Sequence, residues 1–262
     1  MSSSSLPLLT ANEVHCAPAN VALSVVIPVC DEQENVRPLG LEIAGVLASL
    51  RTPYEIIYVD DGSTDATAAN VRDLHAEVGQ VRLVRHRTRC GQSAAIHTGV
   101  RAARAEWILT LDGDGQNDPA DIPAFLAALE SDRSRALRMI VGNRISRQDT
   151  WLRRISSRIA NSIRARLLKD GTPDTGCGIK LFHRDTFLQV PSFRHMHRFL
   201  PALFQREGAK VVSIPVHHRR RTRGTSKYGV HNRLWVSIVD LFAVRWLIRR
   251  NQRPQIMDEQ LQ

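Results

Sequence analysis

The sequence predicts an α/β protein built on a doubly wound, mainly parallel sheet, with a basic C-terminal region that ends in an amphipathic helix. Three observations lead there. Short β-branched runs alternate with stretches of helical period, acidic residues directly follow several of those runs, and no Pro/Ser-rich linker or internal repeat divides the chain. With 262 residues, 43% hydrophobic and 24% charged, the chain has the balance of a globular protein with a sizeable core. That composition excludes a disordered chain, a collagen and a miniature disulfide scaffold.

Taken in order, residues 1–20 have neither a basic start nor a long apolar run, so they read as a loose tail and not as a signal peptide. Strands are expected at Leu23 to Val29, Glu55 to Val59, Val81 to Val84, Trp107 to Leu111 and Arg138 to Val141, because each is a continuous β-branched run of the kind covered on both faces. Helices are expected between them, over about Asn35 to Leu50, Ala66 to Val78, Gln92 to Ala105 and Pro119 to Leu129, some opened by cap-like residues such as Asp65. After Asn143 the pattern changes. A basic helix (Trp151 to Leu168), a Gly-rich turn (Asp170 to Gly178), a strand (Ile179 to His183) and a helix around His197 to Gln205 lead to a strand at Lys210 to Val216. A basic loop and a final helix, Asn232 to Arg249, complete the pattern.

The net charge of +10 is unevenly distributed. Up to Glu130 there are 9 Lys+Arg against 17 Asp+Glu, and beyond it 27 against 9, so the halves carry −8 and +18. Only Lys169, Lys180, Lys210 and Lys227 of the 36 basic residues are lysines; the rest are arginines, whose guanidinium grips phosphate oxygens in two-pronged fashion. A polyanionic partner is implied: nucleic acid, an anionic membrane surface or a phosphorylated substrate. The four cysteines, Cys16, Cys30, Cys90 and Cys177, form no CxxC or Cys/His cluster and read as reduced thiols of a cytosolic protein. No uncharged apolar stretch reaches the roughly 18 residues of a membrane span. The nearest, Leu234 to Ile248, is broken by Asp240 and Arg245.

In doubly wound sheets, ligands bind beyond the carboxyl ends of the strands. Acidic clusters stand there after strand one (Asp31, Glu32), strand two (Asp60, Asp61, Asp65) and strand four (Asp112, Asp114). Asp-Gly-Asp-Gly-Gln at the end of a buried strand can turn two carboxylates and an amide carbonyl toward one hard cation. Alternatively, each acid caps the helix that follows. His195 and His197 are spaced i,i+2, which does not stack on one helical face, so they read as solvent- or lipid-facing and not as a metal pair. No Ser/His/Asp set has the context of a nucleophile elbow.

The ordered motifs IPVCDEQEN (27–35), YEIIYVDDGSTDAT (54–67), GQSAAIHTGVRAA (91–103), WILTLDGDGQNDP (107–119), VGNR (141–144) and RTRGTSKYG (221–229) resemble glycosyltransferase family 2, which has the GT-A fold. Within that family, the dolichol-phosphate and polyprenyl-phosphate sugar synthases are most similar, over about Leu23 to Trp246. The resemblance implies a GT-A domain at 21–230, with a nucleotide-sugar half (21–130) and an acceptor half (131–230), then an amphipathic membrane-interface helix and tail (231–262). It implies a nucleotide pocket containing Pro28, Cys30, Glu32, Asp60, Asp61, Asp112, Gly113 and Asp114, and Mg²⁺ or Mn²⁺ held by Asp112, Asp114 and Gln116. The implied catalytic set is Asp114, Arg144, Arg221, Lys227 and Asp174. Two positions depart from the pattern: Cys30 stands where many relatives have an aromatic residue, and Gln92 where some carry lysine.

The expected reaction is inverting transfer from a GDP-mannose-like or UDP-sugar donor to a polyprenyl (dolichyl or undecaprenyl) phosphate. It would occur at the cytoplasmic membrane face, with room for a small membrane-anchored partner and no nucleic acid. A phosphomonoester with a second pKa near ~6 is already mostly dianionic at neutral pH and needs no strong base, whereas a hydroxyl acceptor needs one. Asp174 is the candidate base or acceptor positioner, or else a turn cap. A family 2 enzyme acting on a glycan or glycolipid hydroxyl is therefore the first alternative, and a basic nucleic-acid-binding protein a distant one. The final helix puts Trp235, Ile238, Phe242 and Trp246 near one face, to lie in a membrane interface or to pack on the domain.

Overall fold

The computed structural model describes residues 21–134, 136–144, 164, 167–168, 170–221 and 232–251, with side chains in the last segment described from 239. The N-terminal tail, Cys16, most of the Trp151 to Leu168 helix, Lys227, the Trp235 and Ile238 side chains and the last eleven residues lie outside this set. The elements in chain order are β1 (Leu23–Val29), α1 (Gln33–Ser49), β2 (Tyr54–Asp60), α2 (Thr67–Glu77), β3 (Val81–Arg85), α3 (Gln92–Ala102), β4 (Trp107–Thr110) and α4 (Ile122–Ser131). They continue with β5 (Leu137–Arg144), β6 (Lys180–His183), α5 (Arg184–Gln189), α6 (Leu200–Arg206), β7 (Lys210–Val216) and α7 (Asn232–Arg249).

The strands form one seven-stranded sheet in the order β3-β2-β1-β4-β6-β5-β7. Every neighbouring pair is parallel except those made by β6, which runs against both β4 and β5. The sheet is mainly parallel, as the β-α alternation predicts. The inner strands are buried on both faces, so successive residues enter different cores, while the edge strands β3 and β7 are largely half-buried or exposed. Val25, Ile27 and Val29 join Ile43, Leu47 and Phe125 on the face of α1 and α4, while Val26 joins Ile96, Val100, Phe182 and Phe204 on the face of α3 and α6. A continuous apolar run is the sequence form of that two-sided burial.

Two helical segments differ from expectation. The helix expected from Pro119 starts as a 3₁₀ turn, Pro119–Asp121, capped by the Asp118 carboxylate on the Ala120 N–H. The helix expected around His197 to Gln205 is divided into a 3₁₀ turn, Met196–Arg198, and α6. His195 enters the turn with φ of 65°, and Pro201 sits in the first turn of α6, where its missing N–H costs nothing.

Candidate active site

The parallel strands end at one edge of the sheet, and β6, being reversed, begins there. Glu32, Asp60 and Asp61, Gln92, Asp112 and Asp114, Arg144, Asp174, Lys180, Arg219 and Arg221 are all carried by strand ends or loops of that edge. Acids from residues 21–130 thus meet arginines from residues 131–230 across positions far apart in sequence.

Asp60 and Asp61 are committed to their own loops. Buried Asp60 accepts from the Ser63 N–H at 2.8 Å and from Arg85 Nε at 2.9 Å. Asp61 accepts from the backbone N–H groups of Cys90 (2.8 Å) and Gly91 (2.7 Å) and pairs with His86 Nδ1 at 2.8 Å. His86 is held in turn by Thr98 at 2.9 Å. Asp61, His86 and Cys90 bring ligand atoms close together, but those hydrogen bonds account for the cluster without an ion. On the neighbouring strand Glu32 stays at the surface of the edge, where its carboxylate accepts from Asn35 Nδ2 and from Arg221 Nη2, each at 2.7 Å. Cys30 is half-buried, with its thiol directed at Asp31 Oδ2 at 3.8 Å, while Cys90 is exposed and Cys177 buried.

The Asp112–Asp114 pair is different. Burial pushes the Asp112 carboxyl up to about 6, and the charge of Asp114 adds to the rise, against Lys180, Arg144 and a Gln92 hydrogen bond of 2.8 Å. Gly178 is pressed so close that a Cβ there would overlap the Asp112 carboxylate. Gly113 is equally constrained, since a side chain would run into Val29 and the Pro28 carbonyl. Gln116 directs its amide nitrogen at the Arg219 carbonyl, 3.4 Å away, which leaves its amide oxygen as the ligand atom. Two carboxylates and an amide oxygen, one carboxyl raised by burial and by the charge of the other, form a donor set that fits a hard divalent cation.

The second half of the chain supplies the opposing charge. Arg144, at the end of β5, forks onto Asp174 with Nε–Oδ2 of 2.6 Å and Nη2–Oδ1 of 2.8 Å. The two residues expected to clamp phosphate and to serve as base are therefore partners. Lys180, the first residue of β6, is buried beside them. Its Nζ donates to the Cys177 carbonyl, and burial lowers its pKa against the charges of Asp112 and Asp174. Beyond β7, Arg219 bridges Glu42 (2.6 and 2.8 Å) and Asp118 (2.6 Å), and Arg221 reaches Glu32 (2.7 Å) and Asp114 (3.8 Å).

Lys180, Arg219 and Asp118 are not singled out by motif. A lysine opening an apolar strand run is the one signal that points to Lys180. His197 requires correction, because it does not face open solvent, whereas the His195 side chain stays 36% exposed. His197 Nδ1 meets Ser93 Oγ at 2.7 Å at the start of α3, and His195 Nδ1 meets Asp240 of α7 at 3.1 Å. The i,i+2 spacing excludes a shared helical face but says nothing of a left-handed turn, which sends the two rings to different elements.

A parallel α/β sheet whose carboxyl edge sets hard oxygen ligands against arginines defines an enzyme site for a phosphate-activated group. The chain belongs to glycosyl transferase family 2, whose family model matches residues 24–190. It is 37% identical over 239 residues to the dodecaprenyl-phosphate galacturonate synthase of Rhizobium johnstonii, covering 90% of this chain and 70% of that protein. It is 32% identical over 210 residues to the undecaprenyl-phosphate 4-deoxy-4-formamido-L-arabinose transferase of Edwardsiella ictaluri, covering 79% of this chain and 63% of that one. The fold is shared with glucosyl-3-phosphoglycerate synthase from Mycobacterium tuberculosis in complex with phosphoglyceric acid (TM-score 0.66, 15% identity, 88% of this chain and 80% of that). It is shared too with a mannosyltransferase from Pyrobaculum calidifontis in complex with GDP-Man and Mn²⁺ (TM-score 0.64, 21% identity, 88% and 65%).

Proposed function

We propose that this glycosyltransferase moves a sugar, with inversion, from a nucleotide-sugar donor to a polyprenyl phosphate at the cytoplasmic face of a membrane. The observation that carries the choice of acceptor is the Arg144–Asp174 fork. The carboxylate best placed to act as base is held two-pronged by a guanidinium, which suits it to orienting that arginine. A phosphate acceptor needs positive charge more than it needs a base, and the polyprenyl-phosphate transferases among the relatives point the same way. In the reaction, an acceptor phosphate oxygen forms the new bond to the anomeric carbon. The bond from that carbon to the donor diphosphate breaks, and the nucleoside diphosphate leaves with the electron pair.

Residues 21–130 form the donor half in this reading and 131–230 the acceptor half, with 231–262 as helix and tail. Glu32, with Pro28, Cys30, Asp60 and Asp61 behind it, borders the nucleotide. Asp112, Asp114 and Gln116 hold Mg²⁺ or Mn²⁺, which when bound neutralises the departing diphosphate. Arg144 and Arg221, with Lys227, draw the two anions together. No described helix is long and apolar enough to cross a membrane. Instead α7 packs Leu241, Val244 and Ile248 on the second core and leaves Val239, Phe242 and Trp246 exposed by 66%, 59% and 60%. That stripe suits an interfacial helix on a lipid surface, alone or beside a small membrane-anchored partner.

The test is transfer by purified protein with Mg²⁺ or Mn²⁺, a panel of labelled sugar nucleotides and short-chain polyprenyl phosphate, with Asp114→Ala and the dephosphorylated prenol as controls. Labelled lipid that requires metal, phosphate and Asp114 is expected. Equal transfer to the prenol would shift the reading to a hydroxyl acceptor. Sedimentation with anionic vesicles, before and after Trp246→Glu, tests the membrane face.

A further inference from the structure

We infer that Arg221 is a tethered cation that neutralises the empty donor site and yields its carboxylates as the divalent cation and nucleotide arrive. This names a regulation of the donor site and rests on the reading of that site given above.

The segment after β7 is strapped down just before Arg221. The Arg219 N–H donates to the Gln116 carbonyl at 2.9 Å, the His217 N–H donates to Asp121 at 2.8 Å, and His218 forms a β-bridge with Asn117. Arg219 itself is fixed to Glu42 and Asp118. Arg221 stands two residues past this anchor, so its guanidinium stays near the site whatever contact it makes. It lies across the carboxylate Oε1 of Glu32, after β1, and Oδ2 of Asp114, after β4. One side chain thus links the residue bordering the nucleotide to a ligand of the cation. Among the described residues, Asp114 makes no other ion pair.

Coulomb's law then sets the sign. A divalent cation at Asp114 and a guanidinium 3.8 Å from the same carboxylate oxygen repel each other, so each weakens the other's hold. Arginine cannot escape by losing its proton. The diphosphate that comes with the cation offers the guanidinium a replacement partner matched to its fork. Cation and Arg221 are therefore antagonists in the empty site and cease to be so once nucleotide is bound. Metal alone binds weakly, and the metal–nucleotide pair binds together.

The experiment is titration of the full-length protein with Mn²⁺, reading free Mn²⁺ by electron paramagnetic resonance, with and without nucleoside diphosphate. Without nucleotide, Arg221→Gln is expected to bind Mn²⁺ roughly 5- to 20-fold more tightly than the wild type, and Arg221→Lys, which keeps the charge, to stay near the wild type. Added nucleoside diphosphate should tighten Mn²⁺ more in the wild type than in Arg221→Gln. Mn²⁺ binding by Arg221→Gln no tighter than by the wild type, including none measurable in either, overturns the inference. Asp114→Asn separates the two readings: if it loses Mn²⁺ while Arg221→Gln gains none, only the role of Arg221 fails, and if it retains Mn²⁺ fully, the metal assignment itself fails.

Discussion

The acids after β2 and the acids after β4 occupy equivalent places on neighbouring parts of the sheet, yet they do opposite things with their charge. Asp60 and Asp61 are met by Arg85, His86 and three backbone N–H groups, so their burial is compensated within the fold. Asp112 is pushed toward its neutral form by burial first and by the charge of Asp114 second. A carboxylate saturated by protein donors is a fastener, and a carboxylate left short of positive charge is a binding site. In the reading proposed above, the second pair holds the cation, and the first holds the loop beside it in shape.

The sharpest way to break this contrast is to remove one acid from each pair. Asp114→Ala is expected to lower sugar transfer at least ~1000-fold, about 4 kcal/mol of barrier. Its melting temperature should stay within a few degrees of the wild type, because the Asp114 side chain serves the fold mainly through the Gln116 N–H at 3.1 Å. Asp61→Ala should do the reverse and cost about 2 to 4 kcal/mol of stability, read by urea unfolding, since it orphans the Cys90 and Gly91 N–H groups. A stable Asp61→Ala protein with abolished turnover would erase the distinction.

Two smaller effects sharpen it. Asp174→Asn should reduce kcat roughly 30-fold, about 2 kcal/mol, by loosening Arg144, with the pH profile of kcat unchanged. Loss of the acidic limb of activity would instead make Asp174 the base. His197 is pushed down to about 3 by burial, then by Lys180, Arg198 and His195. The folded state then binds fewer protons than the unfolded one below the ordinary value of 6.5. Stability should be complete above that pH and erode as pH falls toward 3, by up to about 1.4 kcal/mol per unit. Replacing His197 with Gln, which can still reach Ser93, should flatten the urea midpoint between pH 6.5 and 5.

Much of the fold was legible because two-sided burial leaves continuous β-branched runs and crossovers leave periodic helices. The direction of β6 was not, since a four-residue strand reads the same either way. The site was half legible. Asp-Gly-Asp announces a crowded strand end, but Asp-Asp looks equally acidic, and its saturation depends on β3 and the loop after it. The fork between Arg144 and Asp174 spans thirty residues, which no local pattern encodes. His197 was misread because spacing describes regular helices and not the left-handed turn at His195.

The reversal of β6 has a further consequence. The chain leaves the sheet at Arg144 and re-enters it at Lys180 on the same edge, so the detour between them starts and ends beside the site. Such a detour can lengthen, shorten or change its side chains without rethreading a strand. The segment can therefore diverge while the strand ends that carry Asp60, Asp112 and Arg144 stay in place.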